Sequence, residues 1–208
     1  LILLQGLIGW YMVTSGLFNN TTVSHYRLSL HLVLAVIIIS LIFWLILNVK
    51  NNSFILIKSK NKNYYFYIMI FLVFLQIIIG AFVSGLDAGK IYQSWPLMNQ
   101  TFFPDDVSIN SVFDLIKFEN HSLVQFYHRG LAYLLFFYIL LISYLIYKKK
   151  MYKLYTSLTI VLSFLFLQVI LGIFTLLSNL NIFISSLHQI GSLLLTLSVI
   201  NLYYRYIN

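Results

Sequence analysis

Three histidines lie inside strongly apolar segments, where ionisable side chains are costly and usually mark a functional site. His31 stands in "SLHLVLA", His128 in "QFYHRGL" and His188 in "SLHQIGS". A neutral imidazole is the usual nitrogen ligand of heme iron, and it also binds zinc or copper or relays protons. One such histidine is equally compatible with a hydrogen bond to a neighbouring helix, so the number and placement of the three decide the interpretation.

Two arginines and two further histidines lie close to these segments. Arg129 directly follows His128, and Arg27 precedes the second apolar segment. A guanidinium matches the geometry of a carboxylate, so each arginine could pair with an acidic group of a bound cofactor or extend to the lipid headgroups. His25 and His121 are weaker candidates because both lie at the edge of an apolar run.

The elements that position these residues are membrane-spanning helices. The chain of 208 residues is 61% hydrophobic and only 9% charged. Successive apolar runs of about 20 residues indicate transmembrane helices. The sequence predicts an all-α, polytopic membrane bundle with six spans, at roughly 1–18, 28–48, 64–84, 122–147, 152–178 and 182–204. The chain opens inside an apolar run without the basic start of a signal peptide, so we expect it to lack its beginning.

The distribution of charge predicts the orientation of the spans. Lysines cluster in the links 49–63 and 148–153, which the positive-inside rule places in the cytoplasm. All five acidic residues lie in the long loop 85–121: Asp87, Asp105, Asp106, Asp114 and Glu119. This loop is therefore expected outside, and the second, fourth and sixth spans run inward. His31, His128 and His188 then share one depth near the outer face, and the net charge of +8 requires no nucleic-acid partner.

The three outward spans share the pattern L-Q-x-x-x-G. Its glutamines and glycines are Gln5 and Gly9, Gln76 and Gly80, and Gln168 and Gly172. A four-residue step puts both side chains on one helix face, where glycine permits close approach and glutamine can bond to a neighbouring helix. Ordinary helix packing explains the motif alone, whereas its repetition indicates an internal duplication that pairs His31 with His188.

The residue types exclude several kinds of site. The chain has no cysteine, so disulfides, thiolate metal sites and iron–sulfur clusters are excluded. The spans contain no acidic residue, which disfavours a proton pump or a transporter with histidine relays and a hydrolytic metal site with its general base. A large apolar cofactor fits better, since two facing helices that each give one histidine can bind a porphyrin between them.

Five blocks of the sequence together resemble heme A synthase. They are, in order, "QGLIGWYMVTSGL", "VSHYRLSLHL", "GAFVSGLDAGKIYQSWPLMN", "QFYHRGLAYLL" and "SSLHQIGSLLL". The resemblance covers nearly the whole chain, and "SGLDAG…WPLMN" followed by "QFYHR" is its most specific part. Because it has no cysteine, the chain resembles the cysteine-free branch of this family, which is found in alphaproteobacteria and mitochondria.

The resemblance implies eight helices in two similar four-helix halves. This chain would then start in the third helix. Residues 1–49 are expected to be the remaining two helices of the N-terminal half, which binds the substrate. Residues 50–63 are expected to form a cytoplasmic linker, and residues 64–208 a complete C-terminal half.

The resemblance also implies a role for each candidate residue. His128 and His188 become the axial ligands of a heme b in the C-terminal half, with Arg129 as a propionate partner. His31 becomes one of two histidines that bind the substrate heme O. Arg27 becomes the propionate partner in that half, as Arg129 is in the other. The second histidine and a catalytic glutamate are expected before Leu1. The catalytic residues are therefore unassigned, and this fragment is expected to be inactive alone.

The implied reaction oxidises a methyl group of heme O to a formyl group, which gives heme A for cytochrome oxidase. It resembles two successive hydroxylations followed by loss of water. The expected partners are heme O, membrane lipid, heme O synthase and an electron acceptor, and a homo-oligomer remains open. The expected location is the bacterial or mitochondrial inner membrane.

The alternative function is that of a diheme electron-transfer protein of the cytochrome b type, which does not need the extended "SGLDAGKIYQSWPLMN" loop.

The loop 85–121 is longer than the roughly 2–8 residues that usually connect helices in a bundle. Its segment "YQSWPLMN" brings together aromatic and apolar residues that favour the membrane interface: Tyr92, Trp95, Pro96, Leu97 and Met98. We expect this loop to cover the heme b edge, with Asp87 and Gly89 shaping the turn after the third span. A surface loop with an interfacial anchor is the alternative.

Overall fold

The computed structural model describes residues 1–16, 23–51, 64–108 and 111–208. These residues form six α-helices: α1 (Ile2–Gly16), α2 (His25–Lys50), α3 (Tyr64–Gly85), α4 (His121–Lys148), α5 (Tyr155–Leu177) and α6 (Ile182–Ile207). Short 3-10 helices lie at Ala88–Lys90, Val112–Ile116 and Tyr152–Leu154. The predicted all-α fold is confirmed. The predicted linker 50–63 lies outside the described residues from residue 52 onward.

Five helices of the described part, α2 to α6, are long and apolar enough to cross a membrane. The protein is therefore an integral membrane protein. Helix α1 is apolar as well, but its 15 described residues are fewer than the roughly 20 that a crossing requires. The last residues of the first predicted span, 17 and 18, lie outside the described part of the chain.

Side-chain caps fix where two of the histidine-bearing helices, α4 and α6, begin. The Asn120 side chain accepts a hydrogen bond from the backbone N–H of Leu123 at the start of α4. The Asn181 side chain does the same for Phe183 at the start of α6. Asparagine is a favoured N-cap because its oxygen satisfies a free backbone N–H of the first turn. The two caps set the position of the following histidines along their helices.

Neighbouring helices in the chain pack against each other, so the bundle has two distinct ends. The loop end carries residues 86–108 and 111–120 and the α5–α6 turn, and the lysine end carries Lys50 and the turn with Lys148 to Lys153. Helix α3 packs against both α4 and α6, and α5 packs against the same two helices. Helices α4 and α6 therefore lie across from each other within this group of four.

The main buried core lies on the lysine side of the three histidines, between α3, α4, α5 and α6. Its completely or almost completely buried side chains are Met69, Ile139, Leu158, Val161, Val199 and Leu202. Phenol hydroxyls strengthen the same end, because Tyr204 donates to the Leu47 carbonyl at 3.1 Å and Tyr203 bonds the Tyr67 hydroxyl at 2.8 Å. The tight packing at this end fixes the helices whose other halves carry the histidines.

Candidate functional site

The three histidines occupy equivalent positions in three equivalent helices. His31 is the seventh residue of α2, His128 the eighth of α4 and His188 the seventh of α6. Each of these helices begins at the loop end, and each packs against the helix before it in the chain. All three side chains are partly buried. The histidines therefore form one layer near the loop end of the bundle.

Each imidazole rests against the glycine of the L-Q-x-x-x-G motif in the preceding helix. A Cβ atom at Gly80 would lie 3.0 Å from Cε1 of His128. The corresponding distance is 3.0 Å from Gly9 to His31 and 3.1 Å from Gly172 to His188. These distances are shorter than ordinary van der Waals contacts, so any side chain at the glycine would displace the ring. The glycine thus makes room for the histidine of the next helix.

The glutamine of the motif contacts the same histidine in the first two helix pairs. The amide nitrogen of Gln76 donates to the backbone carbonyl of His128 at 3.1 Å and lies 3.2 and 3.4 Å from its two ring nitrogens. Gln5 repeats this arrangement on His31, with 3.1 Å to the carbonyl and 3.2 and 3.3 Å to the ring nitrogens. We call this arrangement the glutamine contact.

The third helix pair departs from this arrangement. The amide nitrogen of Gln168 packs against Gly191, in the space that a Cβ atom there would occupy. This nitrogen is buried and has no hydrogen-bond partner among the described residues, and Nδ1 of His188 is in the same condition. The sequence motif is identical in all three pairs, but only two of them form the glutamine contact.

His128 and His188 are the two histidines of the group formed by α3 to α6. They lie on helices that face each other across this group. Two imidazoles on facing helices, each seated on a glycine, can hold a planar metal cofactor from both sides. The donor set and its glycine seats fit a bis-histidine heme.

Arg129 and Gln125 attach the long loop to α4. The guanidinium of Arg129 donates to the Tyr92 carbonyl at 2.9 Å and to the Leu97 carbonyl at 3.4 Å. The buried amide of Gln125 donates to the same Tyr92 carbonyl at 2.8 Å. A guanidinium carries five N–H donors, so Arg129 can hold the loop and still reach an anionic group. The sequence suggested an anionic group or the lipid headgroups as the partner of Arg129, and did not indicate its bonds to the loop.

A second set of hydrogen bonds closes the loop upon itself. The Tyr92 hydroxyl donates to Asp105 at 2.5 Å and bonds Asp106 at 2.7 Å, and the Ser122 hydroxyl donates to Asp106 at 2.6 Å. Burial and the two carboxylates raise the pKa of Tyr92. Burial alone would raise the pKa of Asp106, but the bonds from Ser122 and Tyr92 hold that pKa below its usual value.

The loop also reaches the turn between α5 and α6. The Gln93 amide donates to the Asn179 side chain at 2.6 Å, and a Cβ atom at Gly89 would lie 2.9 Å from the side chain of Leu180. Asp87, two residues after the end of α3, adopts a left-handed backbone with φ of 55°. The loop therefore extends from the end of α3 across the start of α4 to the start of α6.

The apolar residues of the loop divide into two groups. Tyr92 and Met98 are buried, with 2% and 1% of their surface exposed. Trp95 and Leu97, which the sequence placed in the same interfacial cluster, are 44% and 40% exposed. The loop thus has an inner side that packs on the bundle and an outer side that can face lipid headgroups.

The remaining candidate residues lie farther from the α4–α6 pair. The guanidinium of Arg27 lies 4.9 Å from the ring centre of Tyr11, which connects α2 to α1. His25 is buried against Phe82 and Gly85 of α3, with its Nε2 unpartnered in the described part of the chain. His121 is exposed at the start of α4. Sequence reasoning missed the burial of His25, which its position at a helix start did not indicate.

Comparison with known proteins gives a match to one protein family. The family model described as "Cytochrome oxidase assembly protein" matches residues 1–200. This range includes all six helices except the last residues of α6. It also includes every histidine of the layer and the whole long loop.

Individual relatives carry the name heme A synthase. One from Pelagibacter ubique is 48% identical over 206 residues, which cover 99% of this chain and 60% of the relative. One from Wolbachia pipientis subsp. Culex pipiens is 42% identical over 195 residues, covering 93% and 57%. One from Rickettsia rickettsii is 40% identical over 205 residues, covering 96% and 60%. The chain thus spans about three fifths of the length of these relatives.

Proposed function

Because the chain belongs to the heme A synthase family of cytochrome oxidase assembly proteins, we propose that it serves the oxidation of a heme O methyl group to the formyl group of heme A. The observation that carries this proposal is the layer of three histidines, each seated on a glycine of the preceding helix. A layer of this kind can present two metal cofactors at one level of the membrane. It supports both a substrate heme and a permanent heme in the same protein.

We assign His128 and His188 as the two residues that would hold a heme b, within the proposed C-terminal half of residues 64–208. The facing helices and the seats at Gly80 and Gly172 support this assignment. A heme held by these two histidines would supply one-electron transfer rather than oxygen binding. The buried core on the lysine side keeps α4 and α6 in place around it.

We assign His31, within residues 1–49, to the substrate heme O. Its imidazole has the same support as that of His128, from Gly9 and from Gln5. Arg27 is one helical turn closer to the loop end, where its guanidinium can neutralise a propionate of the substrate. The contact of Arg27 with Tyr11 keeps this charge beside α1.

The long loop limits the access of water to the α4–α6 pair. Arg129 and Gln125 hold its backbone on α4, and Gln93 holds it on the α5–α6 turn. Water exclusion favours electron transfer at a defined potential, because solvent exposure is one of the protein's controls on heme potential. We place this loop end at the outer face of the inner membrane, with the lysine end in the cytoplasm. An electron acceptor and heme O synthase are the partners this function requires.

Alanine variants of the three histidines in the full-length protein test the proposal. His128→Ala or His188→Ala should abolish the low-spin heme b spectrum, since each removes an axial ligand. His31→Ala should keep that spectrum while heme O accumulates and heme A disappears. Pigment extraction with chromatography measures both hemes, and His121→Ala is the matched control because this histidine is exposed at the same end of the bundle.

Two outcomes would contradict these assignments. An unchanged bis-histidine spectrum in the His128 or His188 variant would show that the ligands lie elsewhere. Loss of heme b with continued turnover in the His31 variant would show that the two halves are reversed. A diheme electron-transfer protein of the cytochrome b type would instead leave the ratio of heme O to heme A unchanged in all variants.

A further inference from the structure

The glutamine contact distinguishes the two histidines that we assign to heme b. We infer that Gln76 is a positioning residue that fixes the plane of the His128 imidazole, and that His188 is held without such a contact because Gly191 diverts Gln168. This inference rests on the proposed axial ligands. It adds that the two ligands of one heme are oriented by different means.

The distances show how the glutamine acts on the ring. The amide nitrogen of Gln76 is almost equally far from Nδ1 and Nε2 of His128, at 3.2 and 3.4 Å. An amide in the plane of the ring at these distances would collide with Cε1, which lies between the two nitrogens. The amide therefore lies over the face of the imidazole, while the position of a Gly80 Cβ adjoins Cε1. Rotation of the ring is restricted from two directions.

The same amide also ties the ring to its own backbone. Gln76 donates to the carbonyl of His128 itself, at 3.1 Å. A single side chain of α3 thus contacts both the imidazole ring of His128 and the backbone carbonyl of the same residue. Gln5 makes the same three contacts with His31. The repetition in two helix pairs indicates a defined device rather than an isolated contact.

The third pair lacks the contact for a reason visible in the sequence. Three residues after the histidine, α2 has Leu34 and α4 has Leu131, whereas α6 has Gly191. The missing side chain leaves a space beside α5, and the Gln168 amide enters it. The amide nitrogen of Gln168 and Nδ1 of His188 are both buried without a partner among the described residues. The His188 ring is therefore seated on Gly172 but not covered by an amide.

Substitution by methionine tests the role of Gln76. Methionine keeps the length and approximate volume of glutamine but cannot donate a hydrogen bond. Gln76→Met should move the electron paramagnetic resonance g values of the low-spin heme, which depend on the angle between the two imidazole planes. It should also weaken heme retention by about 10- to 100-fold, as is typical when a partner of a metal-bound histidine is lost.

The chain provides its own matched control at the equivalent position. Gln168→Met replaces the same residue of the same motif in α5, where the amide nitrogen has no hydrogen bond to His188. This variant should leave the g values and heme retention unchanged. Equal shifts in both variants would overturn the inference, and so would unchanged g values in Gln76→Met.

Gly191→Ala provides a test in the opposite direction. The new Cβ would collide with the Gln168 amide, which is the flexible end of a side chain and can move. We expect the amide to turn toward His188, so the g values should shift while heme is retained. The double variant Gly191→Ala/Gln168→Met should return the g values to those of the natural protein. If the shift persists in the double variant, the amide is not its cause and the inference fails.

The outcome of the His128→Ala experiment separates this inference from the proposed function. If that variant keeps its bis-histidine spectrum, the ligand assignment itself is wrong. If it loses the spectrum while Gln76→Met has no effect on the g values, only the positioning role is wrong. A merely structural role of Gln76 would lower the yield of folded protein without moving the g values of the fraction that retains heme.

Discussion

Gly80 and His128 are in direct contact across the α3–α4 interface, with the Cε1 atom of the imidazole 3.0 Å from where a Cβ of residue 80 would begin. The position of the ring thus depends on the absence of a side chain one helix away. Because Gly9 and Gly172 relate in the same way to His31 and His188, the glycine is part of the site and not only of helix packing.

The first prediction is that Gly80→Ala weakens heme b binding without unfolding the bundle. The added methyl group forces the His128 ring to move by a few tenths of an ångström, and overpacking of this kind costs about 1–3 kcal/mol. A displaced axial ligand should reduce heme b content in purified protein, which the absorption spectrum per mole of protein measures. Thermal unfolding of the same sample checks that the fold is retained.

Gly130→Ala is the matched control for this prediction. Gly130 is a helix-interior glycine of α4, two residues after His128, and a Cβ there would meet no heavy atom within 4 Å. Two residues along a helix correspond to nearly the opposite face, so this variant should retain its heme. Equal heme content in the two variants would show that the contact at Gly80 does not matter.

The sequence predicted one side of the contact between Gly80 and His128, namely the helix face that carries the glycine. The four-residue step between Gln76 and Gly80 placed both on one helix face, and the depth of the histidines followed from the charge of the loops. The partner of the motif could not be predicted, because a helix face does not reveal which neighbour it meets. The diversion of Gln168 was also beyond prediction, since it depends on Gly191 of another helix.

The loop shows a similar limit for Arg129. Its position after His128 suggested a propionate partner, but the carbonyls of Tyr92 and Leu97 that it contacts belong to a segment more than thirty residues earlier. A sequence pattern does not indicate which backbone carbonyls accept hydrogen bonds, because every residue has one. The burial of Tyr92 and Met98 was hidden for the same reason, because an aromatic cluster in a loop fits either side of the loop equally well.

The second prediction concerns the pH dependence of loop stability. The pKa of Asp106 is lowered in the folded loop, so its contribution to stability is present above the unfolded value of about 3.9 and is lost as the pH falls through the folded pKa. The pKa of Tyr92 is raised, so its contribution is present below about 10 and is lost as the pH rises. Protection of the loop against proteolysis should therefore be greatest between about pH 5 and 9.

The Tyr92→Phe variant identifies the groups responsible for this profile. It removes the hydroxyl shared by Asp105 and Asp106, and the loss of hydrogen bonds to charged groups should destabilise the loop by about 1.5–3 kcal/mol. Its protection should lose the alkaline decline, while the acidic decline remains through Ser122 and Asp106. A profile identical to that of the natural protein would mean that other groups control the loop.

The third prediction is that the segment 92–98 controls the environment of heme b. Replacing it with a Gly/Ser linker of equal length removes the buried side chains of Tyr92 and Met98. The backbone carbonyls that Arg129 and Gln125 bind are kept, but they lose the packing that holds them against α4. Water should then reach the α4–α6 pair. The reduction potential should fall because water stabilises the more highly charged ferric state, and the formation of heme A should decrease.

A redox titration of the replaced protein measures this effect directly. The matched control changes Phe113 and Ile116 to serine, because both belong to the same loop and are 76% and 60% exposed. Removing these apolar side chains alters the outer surface of the loop but leaves the contacts of Tyr92 and Leu97 with α4 in place, so the midpoint potential should stay the same. If the 92–98 replacement also keeps its midpoint potential and full activity, the loop acts only as an anchor at the membrane surface, and Arg129 is then free to serve a propionate alone.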